Sequence, residues 1–319
     1  MFNTKMPMRD MFGKALLELG SKNSDVVVLT ADLTDAIKTT LFSKAFPDRF
    51  FQMGIKESDM VGTAAGMAID GLIPFVTTFA AFATSLANQS VRVSMGYNEA
   101  NVKLTSSHGG ICVGGDGATH QSFEDIALMR LIPGMTIVVP CDANEAYNAT
   151  FSVAKYIGPV YLRLGRIPTP VITKLDDRFE IGHAKVLREG NDIAIVANGM
   201  MVAFALEAAD ALASDGIQAR VINMHTVKPL DISVLKSAVD ECSAIVTAEE
   251  HTIIGGLGGA VSEYIGSYNP IPIERVGVKD TFGESGWPDE ILKKYGLTAN
   301  DIANSARRVL TRKIGRSFS

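Results

Sequence analysis

The residues best placed to do chemistry lie in two stretches in the first half of this 319-residue chain. In FFQMGIKESDMVGTAAGMAIDG, Glu57 follows a strand-like run and opens a helical pattern with almost no polar face. A carboxylate at a helix N-terminus ordinarily answers the dipole, for about 0.3–1 kcal/mol. At the edge of an apolar interior, with poor hydration, it is also a candidate for holding a proton. The second stretch, SSHGGICVGGDGATHQSFED, is a glycine-rich loop carrying His108, Asp116, His120 and Gln121, with two of the chain's five histidines. Glycines let backbone approach a ligand closely, and loops after parallel strands are where open α/β sheets bind ligands. The alternative is a turn with exposed polar residues. Arg9, Arg163 and Arg166 offer charge for the anionic end of a substrate, in competition with surface ion pairing. Phe79 and Phe82, three apart in PFVTTFAAFATS at a helix start, read first as core aromatics. Cys112, Cys141 and Cys242 have no C-x-x-C spacing, so neither a disulfide framework nor a zinc site is expected. No metal ligand is assigned on this chain, and the expected compartment is reducing and cytoplasmic.

Short β-branched runs alternate with helical patterns throughout, which predicts an α/β protein of two domains, each a mostly parallel sheet with helices on both faces. Strands are expected at 26–30, 51–54, 72–77, 102–106, 136–139 and 160–164, then at 193–197, 219–223, 244–248 and 273–277. Helices are expected at 9–19 and 60–69, and Asp142 should cap the helix that follows it. The pattern breaks in GRIPTPVITKLDD, so the first domain is placed at 1–170, a linker at 171–182 and the second domain at 183–319.

A net charge of −5 with no Lys/Arg block argues against nucleic acid and anionic membrane surfaces as partners. The opening MFNTKMPMRDMFGK has no apolar leader core, so export is not expected. The apolar stretch Gly62 to Ala87 is broken by Gly71 and Pro74 and reads as buried helix, strand, helix rather than a membrane span. EEHTIIGGLGGAVSEYIG lacks the G-x-G-x-x-G spacing of dinucleotide sites. Its glycines read as tight strand–helix packing, with an intersubunit or regulatory contact as the alternative. His183, His225 and His251 read as solvated or core histidines.

The order of ADLTDAIKTTLFSKAFPDRFFQMGIKESDMVGTAAGMA, PFVTTFAAFAT, SSHGGICVGGDGATHQSFEDIALMRLIPGMTIVVPCDANEA and GPVYLRLGR resembles the pyrimidine-binding domain of the transketolase family. TAEEHTIIGGLGGAVSEYI and VGVKDTFGESG resemble its C-terminal domain, so the resemblance covers nearly the whole chain. It implies a transferase that moves a two-carbon ketol unit from a ketose to an aldose with thiamine diphosphate and Mg2+. The family's diphosphate- and magnesium-binding domain has no counterpart here. The chain therefore resembles the C-terminal subunit of a split transketolase, completed by a separate N-terminal subunit in a two-plus-two assembly.

On this resemblance, Glu57 matches the glutamate that hydrogen-bonds the aminopyrimidine ring. Phe82 matches the aromatic that stacks on it, with Phe79 beside it, and Asp32 matches an aspartate near the cofactor. His108 and His120 match histidines that contact substrate oxygens and handle protons, and Asp116 matches the acid that reads a hydroxyl of the donor sugar. Arg9 and Arg166 match arginines at the substrate's anionic end. Gly115-Asp116-Gly117 followed by Asn144 imitates the family's magnesium motif, but the triplet lies inside a loop and Asn144 inside a helix, so the motif is rejected. Departures fall at Ala36, where a phosphate-binding serine is common, at Gly115, where a glutamate is common, and at LANQS, 86–90. They open the way to a sulfonated or branched sugar. The alternatives are a 1-deoxyxylulose-5-phosphate synthase-like chain, a 2-oxo acid dehydrogenase chain of the beta type, a non-catalytic paralogue, and a nicotinamide-binding protein.

Overall fold

VVVLT at 26–30 is buried at every residue, as a strand covered on both faces must be. The computed structural model describes residues 4–314 except Ser243. The N-terminal segment read for a leader begins on residues 1–3, which lie outside the described residues. The first half supplies β1 (Lys5–Pro7), β2 (Val26–Thr30), β3 (Phe50–Gln52), β4 (Ile73–Phe79), β5 (Lys103–Ser107), β6 (Thr136–Val138), β7 (Val160–Arg163) and β8 (Pro168–Pro170). The second supplies β9 (Lys185–Arg188), β10 (Ile193–Ala197), β11 (Ala219–Asn223), β12 (Thr226–Lys228), β13 (Ile245–Thr252) and β14 (Ile273–Val278).

The large sheet has the order β12-β6-β7-β5-β4-β2-β3, and the second sheet β14-β13-β10-β11-β9. All pairings within them are parallel except at β12 and β9, each of which closes an edge antiparallel. The α/β expectation of two mostly parallel sheets is met. Two features depart from the sequence reading. β1 and β8 pair antiparallel, Lys5 opposite Pro170, so the proline-rich segment that reads as a pattern break forms a strand before the chain leaves the first sheet. Prolines suit such a two-stranded edge because they withhold an N–H that no neighbour needs. β12, which follows the linker, returns to pair with β6 of the first sheet. One apolar cluster accordingly runs from Val27 and Leu104 of the large sheet to Val196, Ile222 and Val261 of the second half. The two sheets share a core.

The stretch 62–87 resolves as expected into the helix Glu57–Ile69, β4 and a helical turn at Phe82–Leu86. Among the described residues no helix is long and apolar enough to cross a membrane. Asp142 caps the helix Ala143–Lys155, accepting from Glu145 N at 2.8 Å. Its other oxygen accepts from Ile172 N and Thr173 N, both at 2.7 Å, which ties the linker to the first domain.

Arg163 fulfils neither reading of the sequence. It is not at a substrate end or on the surface but 4% exposed, its Nε donating to Asp125 Oδ2 at 2.6 Å. Its Nη2 donates to the Glu250 carbonyl at 2.9 Å, and Tyr161 OH donates to the same Asp125 oxygen at 2.7 Å. Burial works against the charge of Arg163, but Asp125 and Glu250 outweigh it and hold the guanidinium above its ordinary range. Breaking such a pair on one side leaves a buried charge uncompensated, at about 3–5 kcal/mol, whereas replacing both partners with apolar groups is far milder. Asp125→Ala is therefore expected to lose about 3–5 kcal/mol in urea unfolding. A loss below about 1 kcal/mol for the single variant would show that the pair is not structural.

Candidate active site

Five adjacent strands of the large sheet, in the order β7-β5-β4-β2-β3, run parallel, so the loops that leave their C-terminal ends stand side by side. Those loops carry, in the same spatial order, Arg166, His108, Phe79 with Phe82, Asp32 and, beyond β3, Glu57. The strand order brings together residues spread over more than half the length of the first domain, at the edge where parallel sheets bind ligands.

Phe79 is the last residue of β4 rather than part of a helix, and Phe82 opens a π-helical turn, Phe82–Leu86. Their rings stack with centroids 5.7 Å apart. His108 lies 3.8 Å from Phe79, and His120 meets Phe82 edge-on at 5.4 Å, so the four rings form one bracket. Phe79 is nearly buried and Phe82 partly exposed. Short π-helical turns occur frequently at functional sites.

His108 holds φ at +62°, a left-handed conformation that a side chain rarely adopts without compensation. Its Nδ1 lies 2.8 Å from Ser107 Oγ, and the residue is 3% exposed. Burial, reinforced by the charges of Arg9, Arg166 and His120, pushes the imidazole down to about 3. His108 is thus a neutral hydrogen-bonding group at ordinary pH. Arg9 donates from Nη1 to the Ala36 carbonyl at 2.9 Å, while its Nε is buried with no partner among the described residues. Arg166 is half-buried and has no hydrogen bond or ion pair among them. Two guanidiniums that act on the same imidazole, neither held by a carboxylate, leave a place for an anion.

Glu57 is the first residue of its helix and 6% exposed, and its carboxylate has no hydrogen bond among the described residues. Ser58 Oγ donates to the Leu86 carbonyl at 3.1 Å, which fastens this helix end to the turn bearing Phe82. Asp32 and Asp116 are exposed, and neither side chain bonds to the bracket. Asp32, at φ +58°, donates its backbone N–H to Gln52 Oε1 at 2.7 Å. Asp116 stands on a short turn, Gly114–Asp116, within the glycine-rich loop. Asn144 lies inside a helix and donates to the Thr173 carbonyl at 2.8 Å, so it does not converge with Asp116. Among the described residues no group of three His, Cys, Asp or Glu side chains is arranged to hold a metal ion.

Of the residues that position this site, Gln121 is named from the sequence and Glu250 is not. Glu250, in β13, accepts from Ile111 N at 3.0 Å and Cys112 N at 2.9 Å, so a carboxylate of the second sheet holds the loop three residues after His108. Gln121 Nε2 donates to the Ile111 and Glu284 carbonyls, bracing the loop from its other side. The glycines at 255–259 serve neighbouring Glu249, whose carboxylate accepts from Leu257 N at 2.6 Å and Gly258 N at 2.8 Å. The helix N-terminus that a dinucleotide would need is filled by the chain itself. His251, fully buried, accepts from Ala127 N at Nε2 and donates from Nδ1 to the Thr252 carbonyl. The trace of these roles in the sequence is TAEEH, three ionisable residues inside an otherwise apolar strand.

A buried carboxylate with no partner beside an aromatic bracket fits an aminopyrimidine ring, which offers a flat face for Phe82 and a ring nitrogen for Glu57. Residues 4–170 match the family model for the transketolase pyrimidine binding domain, and residues 182–302 that for the transketolase C-terminal domain. The chain is 45% identical over 307 residues to the 6-deoxy-6-sulfo-D-fructose transketolase subunit SqwH of Clostridium sp. (strain MSTE9), covering 96% of this chain and 95% of that one. It is 38% identical over 307 residues to an apulose-4-phosphate transketolase subunit of Phocaeicola vulgatus, covering 96% and 98%. Among solved structures it superposes with a TM-score of 0.91 on a split gene transketolase, described as an inactive beta4 tetramer, at 48% identity and covering 96% and 99% of the two chains. The transketolase from Leishmania mexicana shares the fold, with a TM-score of 0.82 at 24% identity, and this chain covers 47% of it. The chain belongs to the transketolase family, of which it carries the pyrimidine-binding and C-terminal domains.

Proposed function

We propose that this chain is the C-terminal subunit of a thiamine-diphosphate-dependent transketolase. It acts in the cytoplasm, in a two-plus-two assembly with a separate N-terminal subunit that supplies the diphosphate and Mg2+ site. The observation that carries this reading is Glu57, buried at a helix end without a partner and fastened to the turn that presents Phe82. Thiamine diphosphate supplies the electron sink that carbon–carbon cleavage beside a carbonyl requires and that no side chain provides.

The chain's own residues bind, orient and hold protons around that group. Glu57 holds a proton against a ring nitrogen, and Phe82, backed by Phe79, fixes the ring plane. His108, kept neutral, and His120 offer ring nitrogens to the hydroxyl and carbonyl oxygens of the ketose, and exposed Asp116 reads a hydroxyl at the same mouth. Asp32 borders the cofactor from the end of β2. Arg9 and Arg166 take the anionic terminus of the substrate. Ala36, where a phosphate-binding serine is common, offers no side-chain donor to a phosphate; its backbone carbonyl accepts from Arg9. Relatives named for a 6-deoxy-6-sulfo sugar and for apulose 4-phosphate support a ketose with an anionic terminus, sulfonate or phosphate.

The deciding experiment is calorimetric binding of thiamine diphosphate with Mg2+ to this chain alone and mixed with a candidate N-terminal subunit. Binding is expected in the mixture only, with ketol transfer from a phosphate- or sulfonate-terminated ketose. Glu57→Gln in the mixture is expected to lower kcat about 10²–10⁴-fold without loss of fold. Tight binding by the isolated chain would refute the division of the site between subunits, and absence of binding in every mixture would refute the reading itself.

His108 gives an independent check. Its folded pKa of about 3 lies below the ordinary 6.5, so the unfolded chain binds the extra proton across that interval. The stability it contributes is complete above pH 6.5 and is lost as pH falls toward 3. The His108 imidazole is expected not to titrate by NMR around neutral pH, and His108→Asn to flatten the fall in urea midpoint across that window. An imidazole titrating near its ordinary value would contradict the buried, cation-flanked geometry.

A further inference from the structure

The segment Asp280–Trp287, DTFGESGW, reaches from the second half of the chain back to the glycine-rich loop. Gln121 Nε2 donates to the Glu284 carbonyl at 2.9 Å, and Ser285 Oγ donates to the Gly115 carbonyl at 3.1 Å. Tyr295 OH donates to the Phe282 carbonyl at 3.2 Å, and Pro288 starts a helix whose Ile291 and Leu292 are buried. The segment is therefore fixed at both ends. Beneath it lies a cavity of about 380 Å³, lined by Gly114, Gly115, Arg166, Gly286, Trp287 and Pro288.

The composition of that wall is specific. Arg166 is its one charged group, with no hydrogen bond or ion pair among the described residues, and Trp287, 75% exposed, is its one aromatic residue. Arg166 also acts on His108 and Arg9, so the cavity continues the candidate active site. Nothing lies within 4 Å of where a side chain at Gly115 would begin, so the space there is open. A glutamate at 115 would set a carboxylate in the same cavity as Arg166. A lining that combines an uncompensated cation with an apolar ring suits a ligand that is anionic at its tip and carbon-rich behind it.

We propose that Trp287 is a specificity-determining residue at the Arg166 end of the substrate site. It packs its indole against the terminal carbons of a sugar whose phosphate or sulfonate group is bound by Arg166. The proposal rests on the transketolase reading and extends it, because it gives the C-terminal domain a direct contact with substrate. Gly115 is part of the device, since it leaves the volume that the sugar end occupies.

Trp287 is the chain's only tryptophan, so its emission reports on this contact directly. The full chain is titrated with ribose 5-phosphate, with a sulfonate-terminated sugar, with ribose and with inorganic phosphate. A saturable change with the phosphate- or sulfonate-terminated sugar is expected, little or none with ribose, and loss of the change in Arg166→Gln. Which of the two anionic sugars acts at lower concentration identifies the terminus. In the assembled enzyme, Trp287→Ala is expected to raise KM for the anionic sugar about tenfold with kcat nearly unchanged. Trp287→Phe should restore most of the loss, and Gly115→Glu should mimic it. Because Trp287 is largely exposed, these variants are expected to keep the parent's unfolding midpoint. An emission spectrum unmoved by both anionic sugars, or an unchanged KM in Trp287→Ala, would overturn the proposal. An assembly with no ketol transfer would overturn the function reading instead, and the titration of the chain would still decide the role of Trp287.

Discussion

The carboxylate of Glu250 is the pivot of this structure. It is buried, comes from the second sheet, and accepts two backbone N–H groups from the glycine-rich loop of the first. Placing a carboxylate there is costly, and burial raises its pKa. Arg163 and the amides of Cys112 and Ile111 oppose that shift. Arg163 is in turn held by Asp125 at 2.6 Å and donates to the Glu250 carbonyl. The chain of charge runs through Asp125, Arg163 and Glu250 with no solvent to screen it, so each member depends on the next. Gly110 completes the arrangement: at φ +102° its missing side chain leaves the space that the Glu250 carboxylate fills.

This constraint explains why the C-terminal sheet belongs to the candidate site although none of the bracket residues lies on it. A glycine-rich loop by itself has many accessible conformations, and holding His108 at positive φ among them requires forces from outside the loop. Glu250 supplies one anchor, Gln121 a second and Ser285 a third. The shared apolar cluster and the return of β12 to the large sheet make the two halves one mechanical unit. What the C-terminal domain contributes is pre-organisation, which is the property a site must have to hold several polar contacts at once.

Much of the fold is legible from local pattern. β2, β10 and β11 fall on the residues that the β-branched runs indicate, because fully buried parallel strands must be apolar throughout. Asp142 caps its helix as its residue type and position suggest. The site loops are legible for the same reason, since strand ends can be read and ligands bind at strand ends. The pairing of Arg163 with Asp125, the grip of Glu250 on the loop and the return of β12 are not. These are contacts between segments far apart in the chain, and periodicity carries no record of which distant partner a charge will meet. Phe79 shows the same limit, because spacing sets it at a helix start whereas pairing with β5 keeps it in the strand. The glycines at 255–259 read as packing, and they do pack: Gly256 and Gly258 leave no room for a side chain against Glu249, His251 and Thr247. The anion at that helix end is Glu249 itself, which strand position alone does not reveal.

The contrast between the charges that are matched and those that are not locates the function. Asp125, Arg163, Glu249 and Glu250 lie deep in the chain, and each has hydrogen-bond partners there. Glu57 and Arg166 have none among the described residues, and Arg9 keeps a buried Nε unpaired. Leaving a buried donor such as Arg9 Nε unmet costs about 1–3 kcal/mol. All three stand at one edge of the large sheet, around the bracket of Phe79, Phe82, His108 and His120. Glu57 stands at the β3 end and Arg166 at the β7 end, with Arg9 bonded to the loop after β2. The open charges are therefore consistent with the proposed site, in which Glu57 meets the ring of the cofactor and the arginines the anion of the substrate. The aromatic bracket lies between, where a reacting carbon chain would cross.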